Sequence, residues 1–336
     1  LFGMIRKAYR VDLPISVLFE APTIRACAAL IEAQIGPQEA GQDAPSPQEP
    51  QRRFTHLVPM HRGEGGPKTP FFLVAGMFGN VLNLRHLAHL LGEDRPFYGL
   101  QARGLYGGAA PHDDLTEAAR DMIAELRQVQ PHGPYLLGGF SGGGITAYEM
   151  AQQLRAAGEE VALIVMLDTP LPQRRPLSRR DRLMIQWQEL RSGGPLYPLH
   201  WAARRIAWEI TKRRPKAQAE TDTHHFHDSA IEAAFYRAIA KYQVRPWAGA
   251  LHLFRPPLVG KWQVSEGRWV SSERAYVLPD NDWAGFAPQV QVTEVPGTHD
   301  SMVLEPNVRV LAARLRRVIE TAEAIQAAPE HREAAE

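Results

Sequence analysis

Gly139-Phe140-Ser141-Gly142-Gly143 closes the apolar run Tyr135-Leu136-Leu137-Gly138 and passes directly into a helical pattern. A serine with glycine two residues away on either side, placed at a strand-to-helix turn, is suited to nucleophilic attack. The sharp turn forces the serine into a strained backbone and pushes its hydroxyl out of the fold, and a Cβ at either glycine would collide where strand and helix nearly touch. The helix that follows aims its free N–H groups and the positive end of its dipole at Ser141. The chemistry to expect is acyl transfer through a covalent serine ester.

A hydroxyl needs a base at neutral pH, and the base needs an orienting acid. Asp168 stands where the acid should, at the carboxyl end of the apolar run Leu163-Ile164-Val165-Met166-Leu167, one helix and one strand after Ser141. The next strand, Leu251–Phe254, ends in Arg255-Pro256-Pro257 with no carboxylate, and Asp280 and Asp282 in a later loop are the weaker alternatives. His299 stands where the base should, after the strand pattern Val290–Val295 and the turn Pro296-Gly297; its near-neutral pKa suits it to take and return a proton. Asp300 beside it is expected to be a solvated neighbour. The oxyanion of the tetrahedral intermediate needs two backbone N–H donors. Gly142 is expected to supply one, and Met77, with Gly76 as the alternative, the other, from the loop after Phe71–Ala75.

These groups require a scaffold that brings strand ends together. From Phe54 onward strand and helix patterns alternate: strands at Phe71–Ala75, Phe97–Gln101, Tyr135–Gly138, Val161–Leu167, Leu251–Phe254 and Val290–Val295; helices at Leu115–Val129, Ile145–Ala157, Ile231–Tyr242 and from Val308 to about Ile325. Alternation of this kind implies an α/β fold with a mostly parallel central sheet and helices on both faces. From about Leu171 to Asp228 no strand is expected. Amphipathic pieces carrying Met184, Ile185, Trp187, Leu190, Trp201, Ile206, Trp208 and Ile210 read as an inserted helical lid, its tryptophans packing within it. The lid arginines, among them Arg174, Arg175, Arg179, Arg180, Arg182, Arg204 and Arg205, read as a solvated face open to an acidic partner. Residues 1–35 read as two helices, the second capped by Thr23; residues 36–53, with Pro37, Pro45, Pro47 and Pro50, as a linker; and residues 327–336 as a disordered tail.

The composition excludes more than it identifies. A net charge of +1 gives no reason to expect nucleic acid, and no apolar run reaches the ~20 residues of a membrane span. The single cysteine, Cys27, permits no intrachain disulfide or cysteine metal cluster and reads as a buried apolar residue in a cytoplasmic protein. His224, His225, His227 and Asp228 share a polar loop, but nothing fixes two of them on one helix face, and no metal is expected.

With the elbow, Asp168 and Gly297-x-His299 in place, residues 54–326 resemble the type I thioesterase domain, an α/β-hydrolase fold, that ends modular nonribosomal peptide and polyketide synthases. The matching pieces are Pro70–Gly76, Gly139–Gly143, Leu167-Asp168, Leu251–Arg255 and Pro296–Met302; Ala75-Gly76 departs from the His-Gly or His-Pro of many relatives. Val11–Ile24 is similar to the last third of a carrier domain whose phosphopantetheine-bearing serine would lie upstream of Leu1, making the carrier portion truncated. The resemblance implies that a chain held on the carrier arm is transferred to Ser141 and released by hydrolysis or macrocyclisation, with no cofactor in the chemistry itself. A free-standing esterase or lipase, a type II editing thioesterase and a catalytically silent docking module are the competing readings.

Overall fold

The computed structural model describes Ile5, Tyr9 and residues 23–35, 54–61, 68–92, 94–105, 109–193 and 229–327. Among these, the strands are β1 (Leu57–His61), β2 (Phe71–Val74), β3 (Phe97–Leu100), β4 (Tyr135–Phe140), β5 (Val161–Leu167), β6 (Leu251–Arg255), β7 (Trp262–Gln263), β8 (Trp269–Val270), β9 (Tyr276–Val277) and β10 (Gln291–Glu294). The helices are α1 (Ile24–Ile35), α2 (Arg85–Leu91), α3 (Leu115–Leu126), α4 (Gly143–Ala156), α5 (Arg179–Gly193), α6 (Ser229–Lys241) and α7 (Val308–Ala327).

Side chains alternate across a strand, so a strand covered on both faces must be apolar at every position. β2 and β4 are buried throughout. Phe72, Val74, Leu137, Ile164 and Met166 face one core with Met122 and Leu126 of α3 and Tyr148 of α4. Phe71, Leu73, Leu136, Leu163 and Val165 face the other with Leu87 of α2 and Leu311 and Leu315 of α7. Seven strands form the main sheet in the order β1-β3-β2-β4-β5-β6-β10. β1 runs antiparallel to β3, and every other pairing in this sheet is parallel.

The strand order locates the site. The chain adds β3 on one side of β2, then returns to add β4 on the other. Connections therefore leave in opposite directions between β2 and β4, opening a crevice at their carboxyl ends, where ligands bind in open α/β sheets. Val74 pairs with Gly139 there, so the loop after β2 and the turn after β4 are neighbours.

The structure adds elements that periodicity did not signal. β1 is an edge strand whose pattern is masked by Pro59, and the seven-residue α2 is too short to show a full apolar stripe. β7, β8 and β9 form a separate antiparallel sheet of two-residue strands, which are below the length at which alternation is legible. α3 stops at Leu126 and continues as turns to Val129, while α7 extends through Ala327, where the tail was expected to begin. The linker, most of the first helix pair, residues 328–336 and lid residues 194–228, with Trp201, Trp208 and the His224–Asp228 cluster, lie outside the described residues. Thr23 does cap α1, its Oγ1 accepting the Ala26 amide at 3.1 Å, and Cys27 is buried. Among the described residues no helix is long and apolar enough to cross a membrane.

The described helix of the stretch expected to form a lid, α5, docks on the small sheet: Ile185 is buried with Trp262, Val264 and Val270. Trp187 is exposed rather than packed, and Arg179, Arg180 and Arg182 are exposed as expected. Asp181 is fully buried at the first turn of α5. It accepts Ser178 Oγ at 2.7 Å, the Ser265 amide at 3.1 Å, Ser265 Oγ and Tyr276 Oη, with Arg268 at 3.6 Å. Burial alone would push its pKa up, but these hydrogen bonds outweigh it and hold the carboxyl well below the ordinary range.

Candidate active site

The turn after β4 is set by steric exclusion. A Cβ on Gly139 would overlap the backbone of Gly143, and one on Gly143 would overlap the carbonyls of Val74 and Ala75, so only glycine lets α4 start against β2 and β4. Ser141 between them has φ 52°, the left-handed backbone that a non-glycine residue tolerates only when its surroundings enforce it. Its amide is tied to the Leu167 carbonyl at 2.8 Å, which fixes the turn to the end of β5.

β5 then delivers Asp168, also left-handed at φ 48°, with its amide on the Phe254 carbonyl at 2.7 Å. β10 delivers His299 through the loop after Val295, whose amide bonds the Arg255 carbonyl at 2.8 Å. Inside that loop Ser301 Oγ accepts the Thr298 amide at 2.8 Å and Asn307 Nδ2 donates to the Ser301 carbonyl at 3.2 Å. The imidazole packs on the Phe140 ring, centroids 5.2 Å apart.

The three side chains meet. His299 Nε2 lies 2.9 Å from Ser141 Oγ, and His299 Nδ1 lies 2.7 Å from Asp168 Oδ2. A carboxylate accepts the Nδ1 proton, which leaves Nε2 as the acceptor for the serine hydroxyl. Burial of the ring opposes its charged form, but the hydrogen bond to Asp168 and the charges of Asp168, Asp300 and Glu273 outweigh it, and the His299 pKa is raised above that of an ordinary histidine. Asp300 itself is exposed. The alternative acids face elsewhere: Asp280 accepts the amides of Asp282 and Ala284, and Asp282 pairs with Arg175 at 3.3 Å.

Among the described residues the amides of Gly76, Met77 and Gly142 have no hydrogen-bond acceptor, so both proposed strand ends present free donors. α6 covers them. A Cβ on Gly142 would overlap the Phe235 ring, and Tyr236 Oη approaches Met77 Sδ at 3.6 Å. Behind the β2 loop a cavity of about 50 Å³ is lined by Gly76, Met77, Met122, Thr146, Ile231 and Phe235 among others. α6 is anchored at its far end by the buried Glu149 of α4, which accepts Tyr242 Oη at 3.0 Å and Arg245 at 3.1 Å.

The site also contains groups that sequence reasoning missed. Asn281 donates to Asp168 Oδ1 at 3.1 Å, Phe235 packs over Gly142, and Phe140 packs against the His299 ring. Pro279-Asp280-Asn281-Asp282 is legible as a turn, but nothing in it tells which side chain is aimed inward. His56, His112 and Asp121 converge within 4.8 Å, the one described group with metal-ligand chemistry. Asp121 there is already engaged by His112 at 2.8 Å and Arg103 at 3.2 Å, so its charge is answered without an ion.

Three comparisons extend this geometry. Chondramide synthase cmdD of Chondromyces crocatus is 29% identical over 342 residues, covering 94% of this chain but 8% of that protein, so the chain corresponds to a small part of its relative's length. The four-domain nonribosomal peptide synthetase AB3403, solved in holo form with AMP and glycine, superposes with a TM-score of 0.58 at 21% identity over 94% of this chain and 23% of its own. The NocB thioesterase domain, solved in covalent complex with a fluorophosphonate nocardicin G analogue, gives a TM-score of 0.50 at 22% identity over 74% of this chain and 94% of its own. Residues 69–256, which contain Ser141 and Asp168, match the thioesterase domain family, and with the sheet and helices described above the chain belongs to that family: it is a thioester hydrolase on an α/β-hydrolase fold.

Proposed function

We propose that this chain is the chain-releasing thioesterase of a nonribosomal peptide or polyketide assembly line, with Ser141 as nucleophile, His299 as general base and acid, and Asp168 as the orienting carboxylate. The observation that carries this reading is the continuous hydrogen-bonded path from Ser141 through His299 to Asp168, 2.9 and 2.7 Å long, at the crevice between β2 and β4. The matched synthetases support the assembly-line setting. Residues 1–35 fit a carrier-type domain that would present the substrate on a phosphopantetheine arm; the Thr23-capped α1 is consistent with it. A cytoplasmic location goes with this reading.

In this reaction Ser141 Oγ attacks the thioester carbonyl carbon as its proton passes to His299 Nε2. The oxyanion is held by the Gly142 amide and by Met77, with Gly76 as the alternative. Collapse breaks the carbon–sulfur bond, the thiol leaves with the proton from His299, and an acyl-Ser141 ester remains. Water, or a hydroxyl or amine of the chain itself, then attacks with His299 again taking the proton, and Ser141 Oγ recovers it on release. Asp168 favours the imidazolium formed in each half. Phe140 stacks under the ring and limits its rotation.

Incubation with synthetic acyl and peptidyl thioesters, with products read by mass, tests the proposal. Wild type should release acid or macrocycle, and an acyl adduct should be trapped on Ser141. Ser141→Ala should lose about 10⁴-fold or more in kcat with an unchanged melting temperature; wild-type turnover in that variant would overturn the assignment.

A further inference from the structure

Asp168 has two carboxylate oxygens, and the acyl-transfer reading uses one. Oδ2 receives His299 Nδ1; Oδ1 receives Asn281 Nδ2 at 3.1 Å. The same amide nitrogen reaches the Thr169 carbonyl at 3.3 Å. Both neighbours are acceptors, which fixes which end of the Asn281 amide faces them, because the reversed amide would set oxygen against two oxygens. We infer that Asn281 is a positioning residue that holds the Asp168 carboxylate in the plane from which Oδ2 meets His299.

Asp168 needs such a clamp. It lies just past the end of β5, its backbone is left-handed, and its side chain is held on one oxygen by a histidine that itself sits in a loop. Without a second partner the carboxyl could turn about its Cβ–Cγ bond, a broad, roughly two-fold torsion. Asn281 is well braced to resist this. Its own φ of 51° is one that asparagine adopts at low cost. Its amide is bonded to the Leu278 carbonyl at 3.2 Å and its carbonyl accepts the Leu171 amide at 3.3 Å. Thr169, the shared acceptor, also receives Nε1 of the fully buried Trp283 at 2.9 Å. The clamp therefore ties together the segment leaving β5 and the loop returning from the small sheet.

The inference rests on the acyl-transfer reading, and its test separates the two. Asn281→Gly keeps the left-handed backbone and removes the donor. A hydrogen bond to a charged group is worth roughly 10- to 100-fold in rate, and that loss should fall on kcat with KM unchanged. The pH profile of kcat/KM carries the distinguishing signature. The groups acting on His299 are Asp168, Asp300 and Glu273, the last 4.0 Å from Arg174, while Asp282 nearby is paired with Arg175. If the clamp orients Asp168, its loss weakens the contact that favours charged His299, and the acid limb moves to lower pH. A residue that only stabilises the loop would lower the amount of folded enzyme and leave the limb in place. Asn281→Asp supplies the second arm: measured at about pH 9, well above the ordinary range of an aspartate, the introduced carboxylate keeps the shape and the turn but cannot donate, and the variant should be no faster than Asn281→Gly. Wild-type kcat with an unmoved limb in either variant would overturn the inference while leaving the serine mechanism standing. Full turnover by Ser141→Ala would overturn that mechanism and the clamp with it.

Discussion

The sheet that carries Ser141, the floor of the site, and the layer formed by α5 and the small sheet are held by opposite means. In the floor, β2, β4, β5 and β6 are joined by parallel ladders, both faces are covered by large apolar clusters, and glycine backbones touch backbones at the turn after β4. In the other layer, α5 meets β7–β9 through a small cluster around Ile185 and through one buried carboxylate, Asp181, with its ring of donors. Catalytic groups must be held within a fraction of an ångström, and close packing against a sheet does that. A layer with few buried apolar groups has low local stability, so α5 and β7–β9 should open more readily than the sheet.

The sharpest way to break this contrast is to place a methyl group in each region's fixing point. Gly143→Ala puts a Cβ onto the carbonyls of Val74 and Ala75, atoms of a central strand that cannot yield. The expected cost is about 3 kcal/mol or more, at the upper end of overpacking, seen as a drop in melting temperature together with loss of Ser141 labelling by a fluorophosphonate. If Gly143→Ala melts as wild type does, the floor is not the sterically locked element described here.

Asp181→Ala tests the other side. It strips the partner from Ser178, Ser265 and Tyr276 at once, a loss of about 2–3 kcal/mol for a buried charged hydrogen-bond centre. Because Ser178 sits just before α5, Ser265 just after β7 and Tyr276 in β9, the loss should be local. Hydrogen exchange should speed up in α5 and β7–β9 while β4 and β5 stay protected and Ser141 still labels at its wild-type rate. Equal acceleration in both regions would show that this layer and the floor form one cooperative unit.

What could be read from the residues divides along the same line. Ser141 and Asp168 stood out because each follows an apolar run, Tyr135–Gly138 and Leu163–Leu167; His299 stood out by its place after the last strand pattern and the Pro296-Gly297 turn, since β10 itself is short and mostly exposed. The parallel sheet was legible from the same apolar runs. The small sheet was not, since Trp262-Gln263, Trp269-Val270 and Tyr276-Val277 are too short for any period to show. In α5 the apolar residues were visible but their partners were not. Ile185 is the buried one and Trp187 is exposed, because the surface they meet is assembled from residues some eighty positions later in the chain. Asn281 was hidden for a related reason: its amide matters through a contact with Asp168, 113 residues distant, that no local pattern encodes.

The smallest expected effects come from pH, and here the two regions carry opposite signs. The Asp181 pKa is depressed in the folded protein, so its contribution to stability is present above the ordinary aspartate value, near 4, and is lost as pH falls through the folded value. The His299 pKa is raised, so its contribution is present below the ordinary histidine value, near 6.5, and is lost as pH rises through the folded value. Acid should therefore loosen the layer of α5 and the small sheet first, with hydrogen exchange in α5 accelerating below about pH 4 while the floor still protects. Alkali should bring His299 to the neutral form that the proposed mechanism needs, so kcat/KM should climb through a limb centred above the ordinary histidine value. A limb at or below that value would mean that Asp168, Asp300 and Glu273 do not jointly outweigh the burial of the ring, and the floor would lose the electrostatic bias that sets it apart from the other layer.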